Sequence, residues 1–328
     1  MKQMAVLAIA ALSLAVPALG ADPLRMNQIQ VLATHNSYHV QPEEPRFSTM
    51  KKFSKEVADW GYSHPPLNVQ LDNGIRGLEL DVYYQPEGHF KVLHVPDFDY
   101  ISTCDTFTDC LTVIREWSKA HPGHVPIITH IEVKDEQYAQ VKTKILKVGQ
   151  AEIDILDHEV LSVFDRAHLI MPDDLRRGAG SVREGLEKQG WPLLDEVRGK
   201  CVFILHNRGE HRDAFLKGNP TLAGRALFDF AEPGAPDAAF LIRDNATEAD
   251  VPELVKAGYI LRTMAGGVGN SVRRDTAMAS GAHLVSSDYP KGEADRATGY
   301  VVVFPDDQTV RCNPVSGVGS CPEGPIAP

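Results

Sequence analysis

Eight short runs of apolar, mostly branched residues recur along the chain, near 29–33, 75–82, 127–133, 168–171, 202–205, 239–242, 259–261 and 283–285. Runs of this length and composition read as strands buried on both faces, which is how parallel sheet reads. Between them lie helix-like segments: apolar residues at helical spacing over 111–120 and 138–148, a Thr247-x-x-Asp250 cap pattern opening 247–257, and 272–280 closing at Gly281. Eight strands alternating with helices predict an α/β protein, a distorted (β/α)8 TIM barrel in a single domain. Gln85-Pro86-Glu87-Gly88 adds a turn signal after the second strand, predicting a hairpin that returns His94 to its mouth.

With 328 residues, 43% hydrophobic and 23% charged, the chain can fill such a barrel. Residues 1–20 read as a secretory signal peptide: Lys2, an apolar run from Met4 to Val16, and Ala18-Leu19-Gly20 as the cleavage site. Its removal takes the net charge from -11 to -12, and a secreted or periplasmic protein is expected. No basic cluster is present, so nucleic acid is not an expected partner. Cys104 and Cys110, and Cys312 and Cys321, could each close a short loop in an oxidising compartment, whereas Cys201 sits in an apolar run and reads as a buried free thiol. The barrel is assigned to 21–298, and the Gly- and Pro-rich segment 299–328 to an irregular tail clipped by a disulfide and packed on the barrel.

Chemistry concentrates at Glu79-x-Asp81 in the second run. Alternate strand residues share a face, so these carboxylates repel unless a proton or cation intervenes. A Glu-x-Asp pair alone is commonly solvated surface. Here, however, Leu78, Leu80 and Val82 make the opposite face apolar, and Glu132 ends a third strand of unusually apolar lead-in. Functional residues of a barrel lie at the carboxyl ends of its strands. Asn36, Glu79, Asp81 and Glu132 are thus expected to converge as an all-oxygen set suited to a hard cation, Ca2+ or less favourably Mg2+, with His35 and His94 beside it.

Thr34-His35-Asn36-Ser37-Tyr38, Gly74 to Val82, Val92-Leu93-His94 and Ile127 to Glu132 together resemble the catalytic barrel of the calcium-dependent, bacterial-type phosphatidylinositol-specific phospholipase C family. A looser similarity continues through Gly199 to Arg208 and Ser286-Ser287-Asp288-Tyr289-Pro290. The resemblance implies calcium ligands Asn36, Glu79, Asp81 and Glu132, and a catalytic pair His35 and His94. Glu79 or Asp81 would remove the proton from the inositol 2-hydroxyl, which attacks the neighbouring phosphodiester to release diacylglycerol and a cyclic inositol phosphate. Lys134, His206, Arg208 and Arg262 are the candidate substrate contacts, His206 and Arg208 standing where a lysine pair occurs in enzymes of phosphorylated lipids. Arg76 reads as structural, and His39, His64, His121, His124 and His130 as loop or surface residues.

The expected substrate is phosphatidylinositol or a related phosphodiester, with transient membrane-surface contact and a monomeric enzyme. A glycerophosphodiester phosphodiesterase or sphingomyelinase D-like enzyme is the rival on the same fold, although its His-Arg-Gly motif is replaced here by His35-Asn36-Ser37. A non-catalytic, calcium-stabilised headgroup-binding protein is the rival of a different class.

Overall fold

The structure is a computed structural model that describes residues 23–328 except Phe53 and Glu323. The expected signal peptide lies outside the described residues. Among the described residues ten strands are formed: β1 (Ile29–Thr34), β2 (Gly77–Tyr84), β3 (Phe90–Val92), β4 (Ile127–Val133), β5 (Cys201–Leu205), β6 (Phe228–Asp229), β7 (Phe240–Asn245), β8 (Ile260–Met264), β9 (Leu284–Ser287) and β10 (Val310–Cys312). Eight of them are parallel and follow the order β6-β5-β4-β2-β1-β9-β8-β7. The ends nearly meet, since Phe230 bridges Phe240 in parallel and the Ala231 N–H donates to the Phe240 carbonyl at 3.0 Å. The result is the expected TIM barrel with helices between its strands.

Burial explains the composition of the strands. All six residues of β1 and all five of β5 are buried, as strands faced by both barrel interior and outer helices must be. Between β1 and β2 the single registered pair is Ala33 with Gly77. A Cβ on Gly77 would lie 2.4 Å from the Ala33 Cβ, so only glycine allows this approach. The β2–β3 hairpin forms as expected, with Val82 opposite Val92 and Tyr84 opposite Phe90.

Three expected elements differ. Residues 168–171 form no barrel strand: a 3-10 turn, Arg166–His168, leads to one bridge between Leu169 and Cys201, and Pro172 then opens a helix. Its apolar residues are buried against β5 without pairing along it. The barrel position belongs instead to β6, only two residues long. The segment 138–148 is not helical. Its backbone donors are taken by side chains: Asp97 accepts from Lys142 and Thr143, Gln137 from Ile145, and Asp135 from Val148. The helix expected over 247–257 shortens to Val251–Lys256, because Asn245 accepts from both the backbone and hydroxyl of Thr247 and makes a turn there. By contrast, the helix around 111–120 begins earlier, at Phe107, where Thr106 and Asp109 form a reciprocal cap.

Cys104–Cys110 and Cys312–Cys321 are disulfides, and Cys201 is free and buried. Towards the chain's end β10 runs antiparallel to β1, placing Cys312 opposite Ile29 at the amino-terminal end of that strand. Arg76 is structural: it is buried, donates to the carbonyls of Leu71 and Ile75, and stacks its guanidinium over Trp117 at 4.7 Å.

Candidate active site

The exit of β1 is pinned to β2 by backbone geometry. Ser37 N–H donates to the Glu79 carbonyl at 2.9 Å, and the Glu79 N–H returns to Ser37 Oγ at 2.8 Å. Between them Asn36 takes a left-handed conformation, φ 45°, one that Asn tolerates better than most residues. This turn holds His35 and Asn36 beside the carboxylates of β2.

Glu79, Asp81 and Glu132 bring one carboxylate oxygen each within 4.8 Å of one another. Register accounts for this, because Asp81 pairs with Glu132 across β2 and β4 and Glu79 lies two residues away on the same face. Both Asp81 oxygens are buried without a hydrogen-bond partner. Burial lifts the Asp81 pKa to about 6, repulsion from Glu132 and Glu79 adding to it against the pull of Lys134. The Lys134 ammonium stands 2.6 Å from Glu132 and 3.5 Å from Asp81, and these charges hold it protonated despite burial. Burial also opposes ionisation of Glu79. Arg262, donating to its Oε2 at 2.9 Å, outweighs that penalty together with His130, His35 and His206, and holds it well below the usual carboxylate range.

Two imidazoles flank the cluster. His35 Nδ1 meets Asp288 Oδ1 at 2.7 Å, and its side chain remains 32% exposed. Desolvation works against its charge, but Asp288 and Glu79 raise its pKa to about 9. His94 Nδ1 meets Asp99 Oδ2 at 2.8 Å, and the same oxygen binds His39 Nε2 at 2.8 Å. Each imidazole is thus oriented by a carboxylate through Nδ1, leaving Nε2 for a ligand.

The remaining sequence candidates divide. Lys134 and Arg262 enter the cluster; Arg262 lies within β8 and also pairs with Asp244. His206 lies 3.7 Å from Glu79 Oε1. Arg208 is exposed, donates to the Ile242 carbonyl at 3.1 Å, and among the described residues forms no ion pair with the carboxylates. His121 is exposed as expected; His39, His64 and His124 lie outside the named helices and strands as expected but are buried, and His130 is buried within β4, against the loop or surface expectation. His130 is the one that matters here: its Nδ1 lies 2.9 Å from His206 Nδ1, and its unpartnered Nε2 3.7 Å from Glu79 Oε2. Its placement two residues before Glu132, on the same strand face, was the available signal. Asp288 stood within a quoted motif; Asp99, Asp244 and His39 carried no signal in spacing.

Comparison with known proteins agrees with this geometry. The family described as phosphoinositide phospholipase C, Ca2+-dependent, matches residues 24–90 and 85–314. A calcium-dependent phosphoinositol-specific phospholipase C from the Gram-negative bacterium Pseudomonas sp. is 18% identical, covers 88% of this chain and 95% of its own, and superposes with a TM-score of 0.58. A Ca2+-dependent phosphatidylinositol-specific phospholipase C from Streptomyces antibioticus is 22% identical, with 81% of this chain and 95% of its own covered and a TM-score of 0.57. No curated protein matches by sequence. The match over most of the chain, on a barrel whose strand ends gather carboxylates and imidazoles, places the protein in the Ca2+-dependent phosphoinositide phospholipase C family of phosphodiesterases.

Proposed function

We propose that the protein cleaves phosphatidylinositol in a calcium-dependent reaction, releasing diacylglycerol and a cyclic inositol phosphate. The observation that carries this reading is the Asp81 carboxylate, buried with neither oxygen hydrogen-bonded and within 4.8 Å of Glu79 and Glu132 ligand atoms. Lys134, 3.5 Å away, offsets the Asp81 charge only in part, and the unbonded oxygens leave room for a cation to complete the site. Three carboxylates and one amide oxygen suit a hard ion, and a set supplied by separate strands suits the longer, adaptable coordination of calcium better than rigid magnesium octahedra. Asn36, Glu79, Asp81 and Glu132 would hold it. A bound divalent ion supplies Lewis-acid stabilisation of phosphate charge and acidifies a hydroxyl.

The protein's own groups supply the rest. In the substrate the inositol 2-hydroxyl lies beside the phosphodiester, so attack needs little approach entropy. The bond formed joins the inositol 2-oxygen to phosphorus, and the bond broken joins phosphorus to the glycerol oxygen. Glu79 is a weak base because Arg262, donating to it at 2.9 Å, lowers its affinity for a proton. Neither Asp81 oxygen accepts a hydrogen bond, so Asp81 would be the better acceptor for the hydroxyl proton. His35, charged at neutral pH, stabilises the non-bridging oxygens. His94, oriented by Asp99, donates a proton to the departing glycerol oxygen. Lys134 and Arg262 neutralise charge around the phosphate and inositol, with His206 beside them.

Two disulfides support export to an oxidising compartment. Among the described residues no helix is long and apolar enough to cross a membrane.

Phosphorus NMR of phosphatidylinositol with the enzyme tests the reading. A cyclic inositol phosphate is expected, formed about 10²–10⁴-fold more slowly by His35→Ala. Glycerol phosphate or a free base as product would favour the rival phosphodiesterases, and full activity in His35→Ala would remove the assigned role of that imidazole.

A further inference from the structure

On the side where His94 would hand over its proton, a second space opens. A cavity of about 670 Å³ is lined by Met50, Val57, Trp60, Val95, Phe98 and Val141, and by His94 itself. Trp60 meets the His94 ring edge to face, with centroids 5.3 Å apart. Val57 and Val141 are buried, and Met50, Trp60, Val95 and Phe98 half-buried, so the apolar surface is recessed into the protein. Among the described residues, no Asp, Glu, Lys or Arg lines it. His94 thus belongs both to the charged site, where it acts on Asp81, and to the lining of a mainly apolar space.

That asymmetry identifies an occupant. A phosphate group would need cationic partners, and the remaining lining residues, Ser54, Tyr138 and Gln140, carry no charge, while the rest of the lining is apolar. Hydrocarbon gains from it. The glycerol oxygen protonated by His94 carries the acyl-bearing carbons, so the leaving group departs on His94's side and its first methylenes meet Trp60 and Val95. We propose that the cavity binds the proximal part of an acyl chain of the diacylglycerol leaving group. The enzyme then recognises its lipid in part through its own interior, not solely by adsorbing to a surface. The net charge of -11 is consistent with this, since it disfavours adsorption to anionic bilayers. The inference rests on the phospholipase reading of His94, and its size agrees with the roughly 300–1,000 Å³ of small-molecule sites.

The test compares kcat/KM for glycerophosphoinositol, dibutyroyl- and dihexanoyl-phosphatidylinositol, each below its critical micelle concentration. Burial of one methylene is worth up to about fourfold. The dihexanoyl compound is expected to exceed the chain-free one by tenfold or more, and the ratio to fall towards one in Val57→Trp and in Val141→Trp, either of which fills the cavity. A wild-type ratio near one, or a ratio unmoved in both variants, would overturn the proposal. Quenching of Trp60 fluorescence by a bromine-labelled short-chain diacylglycerol, with Trp60→Phe identifying the source, needs no turnover. Quenching without turnover of any substrate would uphold the cavity while defeating the phospholipase reading; no quenching would overturn the cavity.

Discussion

Asp81 is the residue on which the site turns. Buried, without a hydrogen bond to either oxygen and pushed up to about 6 despite Lys134 at 3.5 Å, it costs stability at neutral pH that a bound cation would recover. Calcium at a hundredfold excess over its Kd should stabilise the protein by about 2.7 kcal/mol. Asp81→Asn is expected to lose most of that gain in scanning calorimetry, while melting no lower than wild type without calcium. An equal calcium-induced shift in the variant would take Asp81 out of the ligand set. The carboxylates were legible in the sequence because strand alternation alone puts Glu79 and Asp81 on one face, and an apolar run makes that face interior. His130 obeys the same alternation relative to Glu132, yet a histidine between apolar neighbours fits an ordinary core equally well. Asp99, the partner of His94, was not legible: five residues separate them in an irregular loop, and only folding brings the carboxylate to Nδ1.

Elements carry two further expectations. Gly77 lets β2 close against β1, and Gly77→Ala would drive a methyl to within 2.4 Å of the Ala33 Cβ. A loss of about 1–3 kcal/mol in urea unfolding is expected; an unchanged midpoint would mean that the two strands can part without cost. His283, buried at the start of β9, accepts from the Leu261 N–H through Nδ1 at 3.1 Å and donates through Nε2 to the Asn27 carbonyl at 2.9 Å. Its position satisfies both neighbours only in the neutral form, and burial lowers its pKa to about 4. The unfolded chain, near 6.5, therefore binds more protons between these values. Stability from this residue is full above pH 6.5 and is lost as pH falls towards 4, about 3 kcal/mol in all. His283→Gln, which can keep both hydrogen bonds, should flatten that part of the urea-unfolding profile between pH 7 and pH 4; an unchanged slope would refute the neutral assignment. Strand positions were readable where apolar runs are long. The exception, 168–171, has the right residues but is stopped by Pro172, while β6 is too short to leave a pattern.

At the scale of the whole molecule, eight parallel strands bring residues more than 250 positions apart to one mouth, as the His35–Asp288 pair shows. Architecture was legible because alternation of strands and helices persists along the chain; the detailed balance of charge was not, since it depends on Arg262, Lys134 and both histidine partners arriving from separate strands and loops. Family membership and geometry agree that phosphodiester chemistry occurs here, and both direct attention to the divalent ion. The most direct measurement is the initial rate of phosphatidylinositol cleavage across a calcium titration from full chelation, for wild type and Asp81→Asn. The account predicts a rate at least about 10²-fold lower in chelator, recovery with added calcium, and a variant that recovers little. Undiminished cleavage in chelator, or a variant whose calcium curve overlays that of wild type, would contradict it.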